Sequence, residues 1–131
     1  MTPPHILLVE DHEDNRVALL AVLRREGYDA VGARNGSEAL RMIERRRPAL
    51  VLMDLAMPEM DGREATRRLH EDPRTRDIPV LALTAMSLSV SWETLQEDGF
   101  AGLLTKPCMP PQLLEEVRRL AGPAKDGDTA D

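Results

Sequence analysis

Asp54 ends an apolar run, Ala49-Leu50-Val51-Leu52-Met53, that shows no polar alternation. Such a run fits a short strand covered on both faces, and an ionised carboxylate at its end is costly unless a partner meets it. Other groups stand at equivalent places. Glu10-Asp11 follows the run His5 to Val9, Thr84 closes Pro79 to Thr84, and Lys106 follows Ala101 to Thr105. Taken singly, the acidic pair reads as a helix cap and Thr84 as an ordinary strand residue. Taken jointly, carboxylates at Glu10, Asp11 and Asp54 raise one another's pKa values unless a cation intervenes. Lys106 alone is too little. Oxygen-only ligation with few protein donors suits Mg²⁺, with Mn²⁺ as the alternative, because Mg²⁺ keeps several waters and commonly binds one or two carboxylates plus a phosphate. A carboxylate nucleophile, a metal ion, a lysine and a hydroxyl together make a site for a phosphoryl group. Lysine occurs only at Lys106 and Lys125, the remaining positive charge being arginine, so Lys106 calls for an explanation, although taken singly it reads as a surface lysine after an edge strand.

Such a site needs elements that bring the strand ends together. Five short apolar runs alternate with five helical segments. The first helix runs from Glu13 to Gly27, which supplies its stop, with Val17, Leu20 and Leu23, or Leu19 and Leu23, facing inward. Asp29 to Ala33 is a second strand, and Ser37 is the expected N-cap of a helix that turns Leu40 and Ile43 inward. Gly62 to Asp72 is a third helix, Ser87 to Asp98 a fourth ended by Gly99, and Pro110 to Ala121 a fifth with proline in its first turn. Strict strand–helix alternation with short connections implies a parallel sheet with helices on both faces, because the crossovers are right-handed. The expected strand order is 2-1-3-4-5, an order that rests in part on the resemblance given below. It makes the first and third strands neighbours flanking the switch point, where open α/β sheets bind their ligands. Residues 1–121 are expected to form one domain, and residues 122–131 a disordered tail with no apolar anchor after Ala124.

Composition excludes several classes. A formal net charge of −6 argues against a nucleic-acid surface, which needs clustered positive charge. The run Arg45 to Arg47 falls where a helix ends, and cations there complement the helix dipole. No stretch approaches the roughly 18 apolar residues of a membrane span, and no basic-then-apolar segment opens the chain. The single Cys108 cannot form an internal disulfide, so the cytoplasm is the expected compartment. Met53, Met57 and Met60 suit packing rather than a hard metal site. His5, His12 and His70 share no ligand spacing, although His12 adjoins the acidic pair.

The motifs LLVEDHEDNR, LVLMDLAMPEMDG, VLALTA and LLTKP occur in order from Ile6 to Ala121. In this the sequence resembles the receiver domains of two-component response regulators, a flavodoxin-like doubly wound (βα)5 fold. The resemblance implies that Asp54 accepts a phosphoryl group from a phosphohistidine on a sensor histidine kinase or histidine phosphotransfer protein. It implies that Asp11 binds Mg²⁺ directly and Glu10 through water, with the backbone carbonyl of Ala56 as a further ligand. Thr84 matches the hydroxyl residue that moves toward the phosphoryl oxygens, and Lys106 the lysine that pairs with them, followed by a typically cis bond to Pro107. Such a protein catalyses only its own phosphorylation and dephosphorylation.

The chain departs from the pattern at Leu103, which stands where the family usually has a switching aromatic, so signalling is expected through backbone and helix shifts near Thr84. Ala56 and Met86 offer no side chain to orient a water. Ala56 also lacks the second aspartate of an aspartyl-nucleophile phosphatase, which disfavours that enzyme class. The leading expectation is a stand-alone phosphoacceptor. A non-switching binding module, or a receiver excised from a hybrid kinase or larger regulator, is the alternative. Leu88, Trp92 and Leu95 share helical spacing, which would bury all three, yet the resemblance puts Trp92 on an outward output face, where it would anchor a partner.

Overall fold

The computed structural model describes residues 2–57, 60–85 and 90–124. Strands β1 (His5–Val9), β2 (Asp29–Ala33), β3 (Leu50–Asp54), β4 (Val80–Thr84) and β5 (Gly102–Thr105) alternate with helices α1 (Glu13–Glu26), α2 (Gly36–Arg45), α3 (Gly62–Glu71), α4 (Trp92–Asp98) and α5 (Pro110–Ala121). All strand pairings are parallel, in the order β2-β1-β3-β4-β5. The expected order is thus the observed one.

Side-chain alternation along the strands divides the core into two layers. Leu7, Val9, Val51, Met53, Val80 and Ala82 point to one face, where Ala39, Ile43, Ala65, Leu69 and Leu95 of α2, α3 and α4 cover them. Ile6, Leu8, Leu50, Leu52, Leu81 and Leu83 point to the other, against Leu20 and Leu23 of α1 and Leu113 and Val117 of α5. Burial on both faces explains why β3 and β4 carry no polar alternation. Met57 belongs to the first layer and Met60 packs against it, consistent with a packing role.

Several local expectations are corrected. Val17 is 58% exposed, and the inward stripe of α1 is Leu20 and Leu23 with Leu19 half-buried. The N-cap of α2 is Asn35, whose side-chain oxygen accepts from the Glu38 N–H at 2.8 Å, so Ser37 lies inside the helix. α4 as described begins at Trp92, capped by Ser91, and the expected start at Ser87 lies outside the described residues. Leu88 and Met86 lie outside the described residues, as does 125–131 of the expected tail. Before that segment, the Tyr28 hydroxyl donates to the Gly122 carbonyl at 2.7 Å and Ala124 packs against the second layer. Gly27 and Gly99 end α1 and α4 at φ 108° and 110°, where side chains are disfavoured.

One close approach sets the geometry of the active edge. The Gly62 N–H donates to the Leu55 carbonyl at 3.3 Å, and a Cβ at Gly62 would overlap the carbonyl oxygen of Asp54. Only glycine lets the first turn of α3 lie against the end of β3. Gly62→Ala is therefore expected to destabilise the fold by about 1–3 kcal/mol, the usual cost of overpacking. A urea midpoint unchanged from the parent would show that α3 can draw back freely.

Candidate functional site

The carboxyl ends of β1, β3, β4 and β5 lie side by side, and the parallel register pairs Asp54 with Leu83 and Thr84 with Thr105. Glu10 and Asp11 follow β1 directly, and Lys106 follows β5, its N–H donating to the Thr84 carbonyl at 2.7 Å. The Lys106–Pro107 peptide is cis. The Lys106 ammonium bridges the site: Nζ lies 2.8 Å from Glu10 Oε1 and 3.2 Å from Asp54 Oδ2. Glu10 is 1% exposed and Asp54 3%, whereas Asp11 faces solvent. Carboxylate oxygens of all three lie within 4.8 Å of one another. The Ala56 N–H donates to Asp54 Oδ1 at 3.1 Å. Thr84 is buried, and its hydroxyl donates to the Ala85 carbonyl at 3.2 Å.

The charges do not balance. Burial first, and then the charge of Glu10, push the Asp54 carboxyl up to about 6, against the opposing pull of Lys106 and the Ala56 N–H. Burial pulls the Lys106 ammonium down, but its bond to Glu10 and the nearby Asp54 charge outweigh this and hold it above its ordinary value. One ammonium among three carboxylates leaves excess negative charge at a water-facing edge. The donor set is carboxylate oxygen only, which fits a hard divalent cation and not a soft one.

Two contacts around this cluster have no signal in the motifs. The His12 N–H donates to Glu10 Oε2 at 3.1 Å, and Arg16 donates from a guanidinium nitrogen to the Glu10 carbonyl at 3.0 Å. The Arg16 stem crosses Gly32 of β2, where a Cβ would sit 2.9 Å from Arg16 Cδ. A glycine inside a strand pattern is the one hint that another chain segment comes close there. Beside the cluster, a cleft of about 420 Å³ runs from Glu10 and Lys106 past Pro107 and Cys108 to Asn15, Ala18 and Leu19 of α1. The Cys108 thiol is half-buried there, and burial pushes its pKa up, so it is not a poised nucleophile. A larger groove of about 540 Å³ lies elsewhere, between the ends of α2 and α3, and holds none of the predicted site residues.

Every predicted strand-end residue thus comes to one edge. Glu10, Asp54 and Lys106 are in direct contact, Asp11 joins their cluster, and Thr84 lies on the neighbouring strand with its hydroxyl turned toward Ala85. Residues 6–118 match the family model described as the response regulator receiver domain. The chain is 34% identical over 122 residues to the polar-differentiation response regulator DivK of Brucella anthropi, covering 93% of this chain and 99% of that one. Among solved structures, a putative response regulator from Chloroflexus aurantiacus superposes with a TM-score of 0.86 at 31% identity, covering 92% of this chain and 98% of that chain. The receiver domain of a sensor histidine kinase from Pseudomonas aeruginosa, which has a magnesium ion coordinated in its active-site cleft, gives a TM-score of 0.84 at 35% identity, covering 92% and 99%. With the acidic edge, Lys106 and the sheet order that joins them all in place, the chain belongs to the response regulator receiver domain family.

Proposed function

We propose that Asp54 is the phosphoacceptor, taking a phosphoryl group from the phosphohistidine of a sensor kinase or histidine phosphotransfer protein. The observation that carries this reading is the Lys106 ammonium, which touches Asp54 and Glu10 at once in an otherwise acidic cluster. A carboxylate oxygen of Asp54 forms a bond to phosphorus as the phosphorus–nitrogen bond breaks. The electron pair returns to the donor imidazole, and an acyl phosphate remains. Glu10, Asp11, Asp54 and the Ala56 carbonyl would hold Mg²⁺, which would draw charge from the phosphoryl oxygens. Lys106 then pairs with a phosphoryl oxygen, and the Thr84 hydroxyl turns from Ala85 to donate to another. The protein acts only on itself in this chemistry, and the absence of a polar side chain at Ala56 gives a water no orienting partner.

The likeness along nearly the whole of DivK supports a single-domain regulator, residues 1–121, working through protein contacts; the cytoplasm is the compartment we propose for it. No helix among the described residues is long and apolar enough to cross a membrane. The exposed Val17 and the cleft beside α1 offer apolar surface near the site to a phosphodonor. Trp92 is 37% exposed, while Leu95 on the same helix is buried, so the tryptophan is free to anchor a downstream partner.

Acetyl phosphate with Mg²⁺ is expected to add one phosphoryl group, seen by intact-protein mass spectrometry and removed by hydroxylamine. Asp54→Asn abolishes it; persistent phosphorylation of that variant would refute the assignment.

Stability should report the same charge excess. The native Asp54 carboxyl titrates near 6, above the 3.8 of an unperturbed aspartate. Between those values the native state keeps a proton that the unfolded chain has released, so stability falls as pH rises through this window. Without divalent ions, Asp54→Asn should match the parent near pH 4 and exceed it by up to about 3 kcal/mol above pH 7. Millimolar Mg²⁺ should stabilise the parent selectively, because the ion binds only the folded arrangement. Parallel melting curves for the two proteins at all pH values would contradict the charge excess.

For Trp92, acrylamide should quench the emission of the monomer readily, and Trp92→Ala should weaken partner binding while sparing phosphorylation. A blue-shifted, unquenchable emission in a demonstrated monomer would place the ring in the core.

A further inference from the structure

Asp98 is the last residue of α4 and is 5% exposed. A buried carboxylate at a helix C-terminus is doubly unfavourable, since it is desolvated and opposes the partial negative charge of the helix end. The two groups that compensate it both come from α3. Arg63 Nε donates to Asp98 Oδ2 at 2.6 Å, and a guanidinium nitrogen of Arg67 donates to Oδ1 at 3.3 Å. Arg63 and Arg67 stand one helical turn apart, so they grip the carboxylate from one face of α3. The Asp98 bond in turn holds the Arg63 guanidinium above its ordinary pKa. The end of α4 is therefore placed by α3.

The other end of this connection is the phosphoacceptor strand. Gly62, next to Arg63, bonds the Leu55 carbonyl and leaves no room for a Cβ against the Asp54 carbonyl. The first two turns of α3 thus carry both the Gly62 contact with the Asp54 peptide and the two guanidinium groups that hold the Asp98 carboxylate. Trp92 opens α4, a helix about 10 Å long, so a tilt imposed at Asp98 moves the tryptophan. Leu95 and Phe100, at and just after the end of α4, are buried in the first core layer and anchor the helix there.

We propose that Arg63 and Arg67 are positioning residues that clamp Asp98, so that α3 carries a displacement at Asp54 to α4 and the Trp92 surface. This route joins the phosphoacceptor peptide to α4 without passing through Leu103. The contact is one carboxylate held by two guanidinium groups across two packed helices, and in a close-packed interior a small shift at either end is felt by its neighbours. Its physical content is an energetic coupling between the loop after β3 and α4, present before any phosphoryl group arrives.

Two arms test it on the full chain. In the first, without phosphorylation, amide chemical shifts are compared for Asp98→Asn, which keeps shape and removes charge, for Arg67→Gln, which loses only the longer bond, and for Gln96→Ala, an exposed α4 control. Asp98→Asn should move the Leu55 and Gly62 resonances, Arg67→Gln should move them less, and Gln96→Ala should leave them in place. Unchanged Leu55 and Gly62 resonances in both clamp variants overturn the proposal. The second arm rests on the phosphoacceptor reading. Acetyl phosphate with Mg²⁺ should phosphorylate the parent and both clamp variants equally by mass, while the change in Trp92 emission falls by more than about half in Asp98→Asn. A full Trp92 response in the variants, or none in a phosphorylated parent, overturns the coupling. A parent that takes no phosphoryl group removes the phosphoacceptor reading instead, and the first arm still decides the clamp.

Discussion

One ammonium facing two buried carboxylates is the interaction on which this molecule turns. Glu10 follows β1 and Asp54 ends the adjacent β3, and Lys106 arrives from β5, across β4, to touch both. Asp11 adds a third negative charge at the same edge. A buried pair of like charges with one counter-ion is under-compensated, and only a proton or a further cation can relieve it. The raised Asp54 carboxyl and the oxygen-only donor set are two expressions of that deficit. The same deficit makes the edge receptive to a divalent cation, and with the ion in place, to the oxygens of a phosphoryl group.

The scaffold holds this arrangement with little slack. Strand side chains alternate between two buried apolar layers, one roofed by α1 and α5 and the other by α2, α3 and α4. The groups that carry charge emerge where the strands end, so the layers fix the strand ends and the strand ends fix the cluster. Arg16 pins the Glu10 carbonyl from α1, and Gly62 brings α3 hard against the Asp54 peptide. In a close-packed interior such contacts are felt by their neighbours rather than absorbed.

Receivers related to this chain include a regulator of nearly the same length, DivK, and a domain of a sensor histidine kinase. The shared fold does not distinguish these settings, because function on a common scaffold is set by the site and the surface. Here the individual features are at the surface and at helix contacts: Val17 exposed on α1, Trp92 exposed on α4, and an aspartate buried at the end of α4 under two arginines of α3.

The sequence by itself determined the five strands, their alternation with helices and the residues that stand at the strand ends, while the order that brings those ends together came in part from the family resemblance. Those features are local: an unbroken apolar run such as Leu50 to Met53 marks a strand covered on both sides, and a carboxylate at its end demands a partner wherever the strand lies. It did not determine the fine boundaries, since Asn35 and Ser37 are both good caps and only the path of the backbone chose Asn35. Nor did it show that Val17 faces water, because α1 offers more apolar residues than its buried stripe can use. Tertiary structure alone decided the contacts of Arg16 with Glu10 and of Arg63 and Arg67 with Asp98. An arginine side chain is long and carries no periodic signature, so its partner is set by which elements pack side by side, and that is a property of the whole fold.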